Sequence, residues 1–233
     1  MSAYYESMRR QSGAESPAPT TPAVSVATVT APSVLAPGAF EALREQLASR
    51  GNGRAVQSIV FAGCGGTEPS GSFVRAFAES LATQGSRVIV VEGDGAPATT
   101  LCDLTAAVRS PVGVPTNAHG AGRLAYLGMA TPHGEKEGFL RSPAFAAWLE
   151  AQRAVFDYIL FAAPPIARFA DALLLGRATD GVVLLVHAES TERTALSRAR
   201  NQLDRAGVHI LGAVLDGVRH ELPPTLRRYL GDG

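Results

Sequence analysis

The stretch FAGCGGTEPSGSFVRAFAESLA, Phe61 to Ala82, joins an apolar run to an amphipathic helix through a turn crowded with glycine. Loops in that order hold phosphate. Glycines let backbone N–H groups wrap the anion, a lysine grips the terminal phosphates, and a Ser or Thr hydroxyl meets Mg²⁺. A further acid at the end of a later strand steadies the metal. Here the order strand, loop, helix is right, but the lysine is missing and GxxxxGK[ST] is not matched. From its residues alone, the loop reads as a generic strand-to-helix turn.

Few other residues offer chemistry. Glu92 and Asp94 close the run RVIVVEGD, where they could serve a metal or catalysis, or simply solvate a loop and cap the next helix. The run DYILFAAPP ends in Ala162 and Ala163, with no carboxylate for a metal. His119, His133, His187, His209 and His220 show no metal-ligand spacing. His187 follows a central strand, near the edge where ligands bind. Cys64 and Cys102 fit a reducing compartment and make no metal motif; Cys64 reads as a small buried residue. Markers of hydrolases, zinc proteases and dinucleotide-binding folds are absent.

The elements that must position these residues follow from periodicity. SIVFA, RVIVVEGD, RLAYLGM, DYILFAAPP, DGVVLLVHA and VHILGAVLDGV read as strands. Between them, AFEALREQLASR, SFVRAFAESLATQG, SPAFAAWLEAQRAVF, FADALLLGRAT and TERTALSRARNQLDRAG read as helices, and PPTLRRYL as a closing one. Short apolar strands alternating with helices predict an α/β fold, a doubly wound and mostly parallel sheet with helices on both faces. Ligands of such sheets bind beyond the carboxyl ends of the strands.

The chain has 233 residues with 21 basic and 21 acidic side chains, so neither nucleic acid nor an anionic membrane is an expected partner. Residues 1–37 are rich in Pro, Ser, Thr and Ala and predict a disordered tail, in which Tyr4 and Tyr5 stand near the start. Residues 38–233 form the folded domain. No apolar stretch reaches ~18 residues and the start lacks a secretory apolar core, so a cytoplasmic protein is expected.

From Ala39 to about Val218 the chain resembles the cytoplasmic tyrosine kinases of bacterial capsule and exopolysaccharide systems, a branch of the MinD/ParA-like P-loop ATPases. AFEALREQL resembles their opening helix, whose E-x-x-R-x-x-R motif builds subunit rings. Glu41 and Arg44 match it, while Leu47 stands in place of the second Arg. SIVFAGCGGTEPSGSFVRAFAESLATQGSRVIVVEGD is similar to the family's strand, P-loop, helix and second strand. LRSPAFAAWLEAQRAVFDYILFAAPP, ADALLLGRATDGVVLLVHAESTERTAL and VHILGAVLDGV resemble the segments that follow.

Set beside that family, the departures gather at the chemistry. Ser70 occupies the lysine position, Pro69 and Thr67 replace glycines, and Gly71 stands where the metal-binding hydroxyl belongs, with Ser72 next to it. The D-x-D pair becomes Glu92 and Asp94, the acid of the "DTPP" strand becomes Ala162, and the adenine-reading Asn becomes Asp216. The C-terminal tyrosine cluster shrinks to Tyr229. Losing the lysine and two metal-ligating groups removes roughly 4–9 kcal/mol of nucleotide binding. That shift carries a micromolar site beyond the millimolar range.

The resemblance therefore implies a pseudokinase-like component of exopolysaccharide, capsule or holdfast export, with no catalytic residue, no resident metal and no expected cofactor. Its implied partner is the cytoplasmic tail of a membrane polysaccharide co-polymerase or a kinase relative. Glu41 and Arg44 are its candidates for self-association. Two alternatives stand beside it. One is an unorthodox ATP-dependent kinase or ATPase in which Arg75 or Arg168 replaces the lysine and Glu92 and Asp94 hold the metal. The other is a spatial regulator of the MinD/ParA kind.

Overall fold

The computed structural model describes residues 26–31, 39–50, 55–65, 70–93, 102–109, 117–129, 133–188 and 190–216. The strands are β1 (Val26–Ala31), β2 (Ser58–Gly63), β3 (Arg87–Glu92), β4 (Cys102–Asp103), β5 (Asn117–His119), β6 (Gly122–Gly128), β7 (Tyr158–Ala163), β8 (Gly181–His187) and β9 (Ile210–Asp216). The helices are α1 (Ala39–Arg50), α2 (Ser70–Thr83), α3 (Leu104–Arg109), α4 (His133–Leu140), α5 (Pro143–Val155), α6 (Asp171–Ala178) and α7 (Arg193–Arg205).

Among the described residues the strands form one sheet in the order β1-β9-β8-β2-β7-β3-β6-β4, all parallel, with β5 pairing antiparallel to β6. The central strands β2, β3 and β7 are buried almost end to end, because helices cover both faces and leave no solvated side. Alternate residues serve opposite layers. Val60, Ala62, Ile159 and Phe161 pack under α5, α6 and α7, through Phe145, Trp148, Leu175 and Leu203. Ile59, Phe61, Leu160 and Val90 face α1 and α2, where Leu43, Leu47, Phe73 and Phe77 complete the second core. This is the doubly wound architecture that the alternation of runs predicts.

Helix α2 forms because Phe73, Val74, Phe77, Ala78 and Leu81 recur at helical spacing and are buried. Gly85, at φ 98°, takes the left-handed conformation that stops it. Helix α5 starts where the Ser142 hydroxyl accepts the Phe145 N–H at 3.1 Å, with Pro143 at its first turn.

The amino-terminal rim of the sheet is locked by Asp180, the turn residue before β8. Its carboxylate accepts the backbone N–H groups of Gln57 and Ser58, each at 2.8 Å, and the Arg153 guanidinium at 2.8 and 3.2 Å. Arg153 also donates to the Ser58 hydroxyl at 2.7 Å. One carboxylate thereby ties the starts of β2 and β8 to α5.

The expected disordered tail needs correction at six residues. Val26–Ala31, VATVTA, forms β1 and pairs with β9, with register Val26↔Ala213 and Ala27↔Val214. Four of those six residues are Val or Thr, whose branched side chains favour extended backbone. The remainder of residues 1–37 and the closing helix PPTLRRYL lie outside the described residues.

Candidate nucleotide site at the carboxyl rim

The first turn of α2 lies over the carboxyl ends of β3 and β7. Ser70 is buried and its hydroxyl donates to the Ala163 carbonyl at 2.7 Å, fastening the start of α2 to the end of β7. Gly71 follows without a side chain. A Cβ placed there would lie 3.6 Å from both Arg75 Nη1 and Glu92 Oε1. The guanidinium of Arg75 therefore folds back along α2 to its first turn instead of reaching away from the helix.

Glu92, the last residue of β3, faces the same layer as Val88 and Val90. It is 4% exposed, and its Oε2 accepts from Arg75 Nη1 at 2.8 Å. Oε1 is buried, and no hydrogen-bond partner meets it among the described residues. Burial drives the carboxyl above its ordinary range, and the Arg75 charge and hydrogen bond only partly oppose that rise. Tyr126 on β6, beside Val90, is pushed up to about 12 by burial and by the negative charges of Glu79 and Glu92. Ala162 is the lateral neighbour of Glu92 in the sheet and contributes only a methyl group where a second carboxylate could have stood.

Of the residues singled out from the sequence, the fold assembles Ser70, Gly71, Glu92 and Ala162 at this rim. Ser72, on the same first turn, is exposed. Asp216 ends β9 as the register partner of His187, with β8 and β2 lying between it and β7. The ring Nδ1 of His187 is buried and meets no hydrogen-bond partner among the described residues. Arg168 lies in the turn after β7, its guanidinium 5.7 Å from the centroid of the Phe169 ring. Glu41 and Arg44 are exposed on α1, whereas Leu47 is buried in the core. Thr67, Pro69, Asp94, His220 and Tyr229 fall outside the described residues.

Reading the sequence missed Lys136 on α4. It is 2% exposed, with Nζ 3.7 Å from the Asp171 carboxylate at the start of α6. Nothing in HGEKEGFL distinguishes it from a surface lysine. Asp180 was also missed, although an acid directly before a buried strand is a visible signal.

No family model matches the chain. It is 32% identical over 83 residues to the tyrosine-protein kinase CpsD of Streptococcus agalactiae, which is 36% of each chain. It is 36% identical over 64 residues to the tyrosine-protein kinase YwqD of Bacillus subtilis, 28% of this chain and 27% of that one. The matches thus span about a third of the curated relatives. Among solved structures, the kinase domain of the Escherichia coli tyrosine kinase ETK superposes with TM-score 0.66 at 20% identity, over 78% of this chain and 76% of that one. The chimerical protein CapA2B2 gives 0.65 at 20% identity, over 77% and 83%. The MinC:MinD cell division complex of Aquifex aeolicus gives 0.52 at 14% identity, over 69% and 68%.

These comparisons overturn the expectation that no cofactor belongs here. The relatives are named kinases, and a kinase draws its phosphoryl group from a magnesium-bound nucleoside triphosphate. The rim fits such a group in one respect, since the unpartnered Glu92 Oε1 is a hard oxygen donor of the kind Mg²⁺ takes. Among the described residues no three His, Cys, Asp or Glu converge. That does not oppose the fit, because nucleotide-bound magnesium is held by one or two carboxylates, phosphates and water. About a third of the chain is thus similar in sequence to bacterial tyrosine-protein kinases, and its fold is shared with solved tyrosine-kinase domains and with the MinC:MinD complex.

Proposed function

We propose that the chain is a magnesium-nucleotide-binding, tyrosine-kinase-like component of a bacterial polysaccharide assembly and export system. The supporting observation is the Arg75–Glu92 pair at the first turn of α2. It sets a cation where the missing lysine would act and a carboxylate oxygen with no protein partner beside it. When bound, the metal would supply charge neutralisation for the phosphates. Glu92 Oε1 would be its protein ligand, Arg75 would meet phosphate oxygens, and Gly71 would leave room for close approach. Glu41 and Arg44 offer exposed charges for contact with a second copy, and a membrane co-polymerase tail is the proposed partner.

Calorimetric titration with Mg-ATP tests this reading. Saturable binding is expected, and Arg75→Ala should weaken it about tenfold, the worth of one charge-assisted contact. Absence of binding by the unmodified protein at millimolar Mg-ATP would overturn it.

A second reading is a scaffold that binds its partner but transfers no phosphoryl group. Ala162 favours it, because the lateral neighbour of Glu92 lacks a carboxylate, as does the Ser70 hydroxyl, which is committed to the Ala163 carbonyl. Incubation with labelled ATP and a co-polymerase tail separates the two, since the scaffold leaves every tyrosine unlabelled.

A further inference from the structure

The same side chain that would receive phosphate is already held, and its holder is the group that would receive metal. Arg75 donates to Glu92 Oε2 at 2.8 Å while Oε1, fully enclosed, has no partner. Arg75 Nη1 and Glu92 Oε1 each lie 3.6 Å from where a Gly71 Cβ would stand, at the head of a 14-residue helix, an end whose dipole favours an anion. The Glu92 carboxylate thus competes with any incoming anion for Arg75. A magnesium ion arriving alone would meet a carboxylate already neutralised by a guanidinium.

We infer that the Arg75–Glu92 ion pair is a latch that makes metal and nucleotide binding mutually dependent: while closed, the guanidinium neutralises the carboxylate and weakens its pull on a metal, and once phosphate draws Arg75 away, a metal at Oε1 would compensate the charge that Arg75 leaves. The inference rests on the proposed nucleotide site and specifies how that site is regulated. Electrostatics decides the sign. With the latch closed, the buried acid has one oxygen satisfied and one not. With Arg75 on phosphate and no metal, both oxygens would be buried without a partner, which costs more than the single orphan. Metal-free nucleotide is therefore opposed by the latch, and metal-bound nucleotide is not. Charge balance agrees: Arg75 is 33% exposed and can swing, whereas Glu92, 5% exposed at its side chain, cannot follow it.

The test is calorimetric titration of the full chain with ATP in EDTA, with ATP plus MgCl₂, and with MgCl₂ alone. The unmodified protein should bind Mg-ATP, bind metal-free ATP at least about tenfold more weakly, and give no saturable heat with MgCl₂ alone. Glu92→Gln should gain affinity for metal-free ATP by about tenfold and lose the benefit of magnesium, so that the two titrations converge. Adding Arg75→Gln to Glu92→Gln should remove that gain, which shows that the released group is Arg75. Circular dichroism of each variant confirms folding. If the protein binds Mg-ATP but Glu92→Gln gains nothing in EDTA, the latch is overturned and the nucleotide site stands. Saturable binding of MgCl₂ alone would overturn the latch equally. If the unmodified protein binds no ATP in either buffer, the proposed function falls and takes the latch with it.

Discussion

Glu92 is a buried acid at the carboxyl rim, held there by one guanidinium. Its carboxyl is raised above the ordinary range, chiefly by burial, so the folded protein holds that proton more tightly than the unfolded chain does. For such a group, stability falls as pH climbs through the interval between the unfolded and folded values. Glu92→Gln should therefore raise the melting temperature at neutral pH, and the gain should vanish in acid below the usual carboxylate range. Thermal melts at a series of pH values check it, and a variant less stable than the parent at pH 7 would contradict the assignment. A strand-end acid was visible in RVIVVEGD, and Arg75 was visible as a stand-in for lysine. Their pairing was not legible, because it depends on the phase at which α2 crosses β3, and that phase is set by Phe73 and Phe77 packing beneath it.

At the level of elements, legibility followed burial. Strands β2, β7 and β8 are apolar along most of their length, so their runs stand out, and α2 and α5 show clear helical spacing. Helices α3 and α4 escaped notice because LTAAVR is only six residues and HGEKEGFL hides a buried lysine among polar neighbours. Strand β1 escaped because VATVTA sits between proline-rich stretches that argue for disorder. Helix α6 makes a prediction that propensity alone would reverse. Gly176→Ala should favour the helix by up to about 1 kcal/mol. Yet the new methyl would lie 2.6 Å from Val208 Cγ1 and 2.7 Å from Val182 Cγ2, between α6 and the sheet. Overpacking of that kind costs about 1–3 kcal/mol, so the variant should be less stable in urea. A more stable variant would show that β8 and the approach to β9 yield more easily than their burial implies.

The whole molecule is built with two unlike rims. At the amino rim, Asp180 is satisfied by two backbone donors and a guanidinium, which hold its carboxyl below the ordinary range despite burial. The sign is opposite to that of Glu92. Its stabilisation is present above the unfolded value and is lost as pH falls through the folded one. Asp180→Asn should cost about 2–3 kcal/mol at neutral pH, with the difference shrinking toward strong acid. Equal denaturant midpoints at pH 7 would refute this. No helix among the described residues is long and apolar enough to cross a membrane.

The Asp180 anchor has a mechanical consequence. A sheet clamped along one edge and unsettled along the other behaves as a cantilever, with displacement confined to its free end. Amides of β2 and β8 near the clamp should exchange with deuterium only when the entire domain opens, whether or not ligand is present. Those in the first turn of α2 should register every binding event, so the fold isolates its base from whatever its rim senses.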